Sequence, residues 1–183
     1  VGTALTIRLQ PSNTMTTIRG IDFRNGAALP DVAGMYRGGG VRIEEGSVTA
    51  FEGCRFLSCR ADEGGGVYLD GGSHDFIDCV FRGNSAGKGG GLLSRGADLR
   101  LLHCDVSETL FRSVAFGSAV NGLGVALLSP ADPTATVPAV LIEACDISRN
   151  RSVRSANGAG LFTEVPTTVR TSTFLDNDAA DEG

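Results

Sequence analysis

Residues 64–88 read GGGVYLDGGSHDFIDCVFRGNSAGK, and this stretch decides the fold because its features recur along the whole chain. Glycine triplets begin at Gly38, Gly64 and Gly89, at intervals of 26 and 25 residues. The degenerate triplets GLG at 122–124 and GAG at 158–160 continue the series at longer intervals. Repetition with a period of this length is typical of solenoids, in which each repeat forms one coil.

A cysteine with an apolar residue two positions later recurs in register with the glycines. The pairs are Cys54/Phe56, Cys79/Phe81, Cys104/Val106 and Cys145/Ile147. An asparagine follows the apolar residue by three positions in some copies, at Asn84, Asn150 and Asn177. Short stretches of alternating apolar residues between these anchors predict strands, and the Gly, Asp, Ser and Asn residues between the stretches predict turns.

These patterns predict an all-β fold, a right-handed parallel β-helix of about six coils with loop insertions at two corners. One insertion site lies between the Asn position and the glycines, and the other is the proline-containing stretch 129–138. We expect residues 1–183 to form a single domain that is a segment of a longer repeat protein.

Equivalent side chains in stacked coils lie above one another, which gives the cysteines and asparagines a structural role. We predict a buried, reduced ladder of Cys54, Cys79, Cys104 and Cys145, because a free cysteine behaves as a small hydrophobe. Disulfides between neighbouring coils, or a metal site on these thiols, remain alternatives. Asn84, Asn150 and Asn177 suit a turn, because asparagine tolerates left-handed backbone and can bond its own main chain, and stacked asparagine side chains can also bond to the coils above and below.

Composition excludes several classes of protein. Glycine accounts for 26 of 183 residues, which argues against a helical protein. No apolar run approaches the roughly 18 residues of a membrane-spanning helix, so no transmembrane segment is predicted. The net charge of -5 does not favour nucleic acid as a partner. We predict no cofactor and no metal site.

The repeat unit resembles that of the polymorphic outer-membrane proteins, best known from chlamydiae, within the wider pectin-lyase-like class. The matching residues are Phe81, Asn84, Ala86, Gly89 and Gly90. The third residue of the family's triplet is usually alanine, whereas here it is Gly40, Gly66 or Gly91. The resemblance implies a right-handed parallel β-helix and a secreted, cell-surface rod that acts as an adhesin or structural protein.

Two carboxylates carry an alternative, enzymatic hypothesis. The residue between cysteine and its apolar partner points outward, so Asp105 and Asp146 would lie on adjacent coils about 5 Å apart. That separation is close to the spacing of the two carboxylates in a retaining glycosidase. The competing interpretation is a pair of solvated carboxylates on an exposed strand.

A small basic cluster, Arg149, Arg151 and Arg154, is a candidate ligand-binding site. Guanidinium groups bind uronates or sulfates through paired hydrogen bonds. A solvated loop is the alternative for this cluster.

We therefore favour a non-enzymatic rod that is extracellular or at the cell surface, with surface proteins or polysaccharide as partners. Assembly with other chains, end to end or side on, is compatible with this function. The alternative is a hydrolase, lyase or epimerase acting on polysaccharide.

Overall fold

The computed structural model describes residues 5–7, 14–44, 47–110, 120–152 and 156–179. These residues form strands, turns and bends, and none of them lies in a helix. The all-β prediction is confirmed for this part of the chain.

Three parallel sheets, which we name A, B and C, contain six strands each. Sheet A consists of Leu5–Ile7, Val41–Ile43, Val67–Asp70, Leu92–Arg95, Val125–Leu128 and Leu161–Thr163. Sheet B consists of Thr16–Arg19, Val48–Glu52, Ser73–Ile77, Asp98–Leu102, Val140–Glu143 and Thr167–Arg170. Sheet C consists of Asp22–Arg24, Arg55–Leu57, Val80–Arg82, Asp105–Ser107, Asp146–Ser148 and Thr173–Leu175.

Each coil contributes one strand to each sheet, in the order A, B, C, and each strand pairs with its equivalents in the neighbouring coils. The paired strands Val120–Asn121 with Ala156–Asn157, and Arg151–Ser152 with Asp178–Ala179, add two short ladders. The parallel β-helix of six coils is thus confirmed, and the right-handed sense of the coil stays a prediction.

In the second to the sixth coil, two corners are built in the same way, from one residue with positive φ followed by an inward side chain. Between sheets B and C, Asp78 has a φ of 54° and is followed by Cys79. After sheet C, Gly83 has a φ of 65° and is followed by Asn84. Asn84, Asn150 and Asn177 do not themselves adopt the left-handed conformation, in which φ is positive. In each case the preceding residue has that conformation, and it turns the chain so that the asparagine points inward.

The asparagine ladder joins each coil to the preceding one. Asn84 Oδ1 accepts a hydrogen bond from the backbone N–H of Cys59 at 2.9 Å, and Asn84 Nδ2 donates to the carbonyl of Phe56 at 2.8 Å. Asn150 repeats both bonds at the same corner two coils further along, with Thr109 and Val106. Asn177 accepts a bond of 2.8 Å from Asn150 Nδ2. These bonds satisfy polar groups that are buried away from water.

The cysteine ladder lies at the corner between sheets B and C, where its thiols also bond to backbone groups. The Cys79 thiol donates to the carbonyls of Phe51, in the preceding coil, and Ile77, both at 3.4 Å. In the last coil Ser172 takes the cysteine position, and its hydroxyl donates to the carbonyl of Arg170 at 2.7 Å. Cys59 lies in the asparagine column rather than in the cysteine column.

All five thiols are free and buried. Burial raises the pKa of Cys54 and of Cys59. The neighbouring thiols of Cys145 and Cys79, together with burial, raise the pKa of Cys104. Hydrogen bonding with Cys104 lowers the pKa of Cys79 and lowers that of Cys145 to about 7. The thiols of Cys54, Cys59 and Cys104 are therefore held in the neutral form, which is a poor nucleophile.

Phenylalanine rings stack inside the coils. The rings of Phe23 and Phe56 lie 5.1 Å apart and those of Phe56 and Phe81 lie 4.7 Å apart, in one column behind sheet C. Phe51 and Phe76 stack at 4.9 Å behind sheet B. The stacks arise because the apolar position repeats in every coil.

The third glycine of each triplet has no room for a side chain. A Cβ at Gly66 would lie 2.4 Å from the carbonyl oxygen of Gly91, and a Cβ at Gly91 would lie 2.7 Å from that of Gly124. This crowding accounts for glycine at the third position of the triplet.

The loops at 27–37 and 129–138 leave the coil after sheet C and after sheet A respectively, at the two corners predicted for insertions. Residues 111–119 and 153–155 of the other insertions lie outside the described residues.

We predict that Gly91→Ala lowers the free energy of unfolding by about 1–3 kcal/mol, because the added Cβ overpacks the corner against Gly124 and Val106. Urea unfolding followed by circular dichroism measures the change. Gly87→Ala is the matched control, since a Cβ there meets its nearest atom, Asp62 O, at 3.3 Å. Equal losses in the two variants would contradict the crowding argument.

We further predict that the native protein resists thiol labelling, because each cysteine is at most 3% exposed. Five thiols should react after unfolding in urea without reductant. Counting labels by mass spectrometry before and after unfolding checks this, and rapid native labelling of all five would rule out the buried ladder.

Candidate functional site

The structure brings Asp105 and Asp146 together on the outer face of sheet C. The two residues are paired in register on adjacent coils. Asp105 Oδ2 accepts a hydrogen bond of 2.7 Å from the guanidinium of Arg82, one coil earlier. The carboxylate of Asp105 is thus held by a cation, whereas Asp146 is exposed on its strand.

Opposite charges on successive coils pair in the same manner elsewhere on the surface. Arg19 and Glu52 lie in register on sheet B with a nitrogen–oxygen distance of 2.6 Å. Asp22 lies in register with Arg55 on sheet C, and Arg55 donates two hydrogen bonds of 2.6 Å to its carboxylate. These hydrogen bonds lower the pKa of Asp22 and raise the pKa of Arg55.

A groove of about 410 Å³ lies over the outer face of sheet B. The side chains that face outward along it are Ser73, Asp75, Asp98, Arg100, Ala139, Leu141, Thr168 and Arg170. The proline-containing loop 129–138 returns to the sheet at this edge, where the backbone N–H of Ala139 donates to Asp98 Oδ1 at 2.7 Å.

The groove presents both charge and hydroxyl groups. Asp75 and Arg100 are paired in register, with their charged atoms 3.5 Å apart. The Arg170 guanidinium has no ion pair or hydrogen bond among the residues that the structure describes. Together with Thr168, these groups can bind a polar chain laid across four coils.

Sequence reasoning missed this groove, although one signal was present. Asp75 and Arg100 are 25 residues apart, which is one period, so they had to be neighbours. The contribution of the loop at Ala139 had no such signal, because its path depends on contacts between coils.

His74 lies beneath the groove, inside the coil. It is 1% exposed, with Nδ1 2.9 Å from Thr49 Oγ1 and Nε2 2.8 Å from the carbonyl of Gly71. Burial lowers the pKa of His74, although the bond to Gly71 and the charges of Asp75 and Asp98 act in the opposite direction.

A second cluster, which sequence reasoning also missed, surrounds the buried carboxylate of Glu63. Arg37 Nε lies 3.1 Å from this carboxylate, and the charged nitrogens of Lys88 and Arg95 lie 3.6 Å from it. Arg37 also pairs with Asp31 of the first insertion at 3.0 Å. The cluster ties the loop at 27–37 to three coils, so its charges serve the fold.

The signal for the Glu63 cluster is the residue just before each glycine triplet. That position holds Arg37, Glu63 and Lys88 in successive coils, which the structure joins by parallel bridges. An alternation of positive, negative and positive charge at one period predicts contact between coils.

The arginine cluster is only partly described. Arg149 and Arg151 are exposed, and Arg149 Nε lies 3.9 Å from Glu108. Arg154 lies outside the described residues. Arg149 follows the strand Asp146–Ser148, and Arg151 begins the short strand Arg151–Ser152.

Comparison of the chain with family models, curated proteins and solved structures found no match. Within the described ranges, no helix has the length and apolar character needed to cross a membrane. Over the same ranges, no group of three or more His, Cys, Asp or Glu side chains is arranged to hold a metal ion.

We predict that His74 makes the protein less stable in mild acid. Because burial lowers the pKa of His74 in the folded state, the unfolded chain binds more protons below about pH 6.5. The contribution of neutral His74 to the free energy of unfolding is therefore complete above about pH 6.5. It is lost as the pH decreases toward the pKa that His74 has in the folded state.

Urea midpoints of the wild type and His74→Gln between pH 5 and pH 7.5 measure this effect. Glutamine can bond to Thr49 and Gly71 without titrating, so the variant should lose less stability on acidification. Parallel curves for the two proteins would show that His74 does not contribute to the pH dependence.

Proposed function

We propose that the protein is a non-enzymatic rod, extracellular or at the cell surface, with a structural or adhesive role. The observation that supports this most is the pairing of opposite charges between coils on the outer faces. Arg82 holds Asp105 at 2.7 Å, so the carboxylate that the enzymatic hypothesis needs is engaged in an ion pair. Such pairs fit a surface organised to keep coils in register.

The interior supports the same proposal. Ladders of asparagine, cysteine and phenylalanine run through successive coils, and they make the stack of coils one continuous core. A stack of this kind holds its outer faces at a fixed spacing along an extended surface. The resemblance to the polymorphic outer-membrane repeat adds the expectation of a cell-surface location and of surface proteins or polysaccharide as partners.

The groove over sheet B favours a second candidate function, action on a polysaccharide. It places Asp75 and Asp98 on adjacent coils, and Arg100 is the cation paired with Asp75. A hydrolase, lyase or epimerase would use these carboxylates as acid and base. Asp98 is already engaged by the N–H of Ala139, which weakens this candidate.

A turnover screen on neutral, uronate-containing and sulfated polysaccharides separates the two functions. New reducing ends and unsaturated products are the signals, and we expect neither. Turnover that is lost in Asp75→Asn would replace the rod by an enzyme whose site is the sheet B groove. Turnover that is lost in Asp105→Asn would instead place the site on sheet C.

Adhesion has its own measurement. Beads coated with the folded protein should be retained under flow on a layer of extracellular matrix more than beads coated with the urea-unfolded chain. Equal retention would leave the structural role, and sedimentation of the protein over a range of concentrations would then test assembly with other chains.

A further inference from the structure

The corner that follows sheet C forms a continuous strip along the rod. We call it the corner strip and define it by Arg24, Asn25, Ser58, Arg60, Arg82, Gly83, Ser85, Glu108, Leu110, Arg149 and Arg151. Parallel bridges join Arg60 to Ser85, Ser85 to Leu110 and Leu110 to Arg151. The strip therefore connects the arginines of the early coils with the predicted cluster at Arg149 and Arg151.

Two shallow grooves, of about 320 Å³ and 240 Å³, lie on the corner strip and share Asn25, Ser58 and Gly83 in their walls. Because they share these residues, they form one channel that crosses coils. Arg24 and Arg82 line the larger groove, and the smaller groove is lined by Arg60 and Ser85.

The channel is rich in hydrogen-bond donors. Arg24 donates through Nε and one terminal nitrogen to Asp22, and Arg82 donates through one terminal nitrogen to Asp105 and through Nε to Ser107. A guanidinium has five N–H groups, so each retains donors that point to solvent. The side chains of Arg24 and Arg82 are 54% and 48% exposed.

Arg60 is the most available cation of the channel. Arg60 is exposed in the wall of the smaller groove, and its guanidinium has no ion pair or hydrogen bond among the residues that the structure describes. The hydroxyl of Ser58 and the amide of Asn25 line the same wall. Glu108, at one end of the larger groove, is an acidic group that repels an anion bound there.

We propose that the corner strip binds a linear sulfated polysaccharide, with sulfates on Arg24, Arg60 and Arg82 and sugar hydroxyls on Ser58 and Asn25. Planar guanidinium groups suit the oxygens of sulfate because they donate in pairs. Arg24 and Arg82 occupy one column of sheet C two coils apart, which is about 10 Å. Arg60 follows that column by three residues in the coil between them, so the three cations are spread over a length that takes more than one sugar unit. The inference rests on the proposed adhesive role, for which it names a ligand.

The same surface does not suit nucleic acid. Among the described residues that line the channel, none has an aromatic side chain on which a base would stack, and the chain carries a net charge of -5. A sulfated chain needs only spaced charges and hydroxyl contacts, which the corner strip offers.

The test measures the affinity of the full chain for dextran sulfate, with uncharged dextran, alginate and duplex DNA as comparison probes. We expect binding to dextran sulfate alone, weakened more than tenfold between 50 and 500 mM NaCl because salt screens exposed charges. Arg60→Gln should weaken binding about threefold to tenfold, and Arg60→Glu should weaken it further.

Arg19→Gln is the matched control, because it removes the same charge from an exposed arginine on sheet B. Equal losses in Arg19→Gln and Arg60→Gln would overturn the site, since binding would then follow net charge alone. Equal affinity for alginate, for DNA or for uncharged dextran would overturn the choice of a sulfated ligand.

The experiments distinguish a failure of sulfated-polysaccharide binding at the corner strip from a failure of the proposed function. Beads that adhere to matrix without competition from dextran sulfate would leave the adhesive role intact and remove this ligand. Polysaccharide turnover would remove the non-enzymatic role, and the comparison of Arg60→Gln with Arg19→Gln would still decide whether the corner strip binds sulfate.

Discussion

Backbone hydrogen bonds between coils, about 4.8 Å apart, are the constraint on which the rest of the structure depends. In this arrangement each strand pairs with its equivalents in the neighbouring coils, so each side chain must fit against a copy of its own position. Large apolar residues therefore stack, as Phe56 does on Phe81. The same constraint excludes a Cβ at Gly91, because the next backbone approaches too closely.

The corners follow from the same spacing. A residue with positive φ turns the chain sharply, and the next side chain is then directed into the coil. That side chain must satisfy the backbone groups that the turn leaves unpaired. Asn84 does so with its amide, and Cys79 does so with its thiol, which is why the two residue types recur at equivalent corners. Both ladders are consequences of one geometry.

The outer faces divide into surfaces with different roles. The charges around Glu63 tie an insertion to the coils, and the pair of Arg82 and Asp105 links neighbouring coils. The groove over sheet B and the corner strip retain exposed donors, at Arg170 and Arg60 among the described residues. A functional surface on such a rod is therefore recognised by charges that the fold does not use.

The sequence alone determined the period, the presence of two or three short strands in each coil, the outward direction of the residue between cysteine and its apolar partner, and the position of Asp105 beside Asp146 on adjacent coils. It did so because stacking makes residues one period apart neighbours. The tertiary structure decided that the residue before Asn84 takes the left-handed conformation, that Arg82 engages Asp105, and that the loop returning at Ala139 completes a groove. These features depend on loop paths and on side-chain orientations across coils, and neither follows from a repeat length.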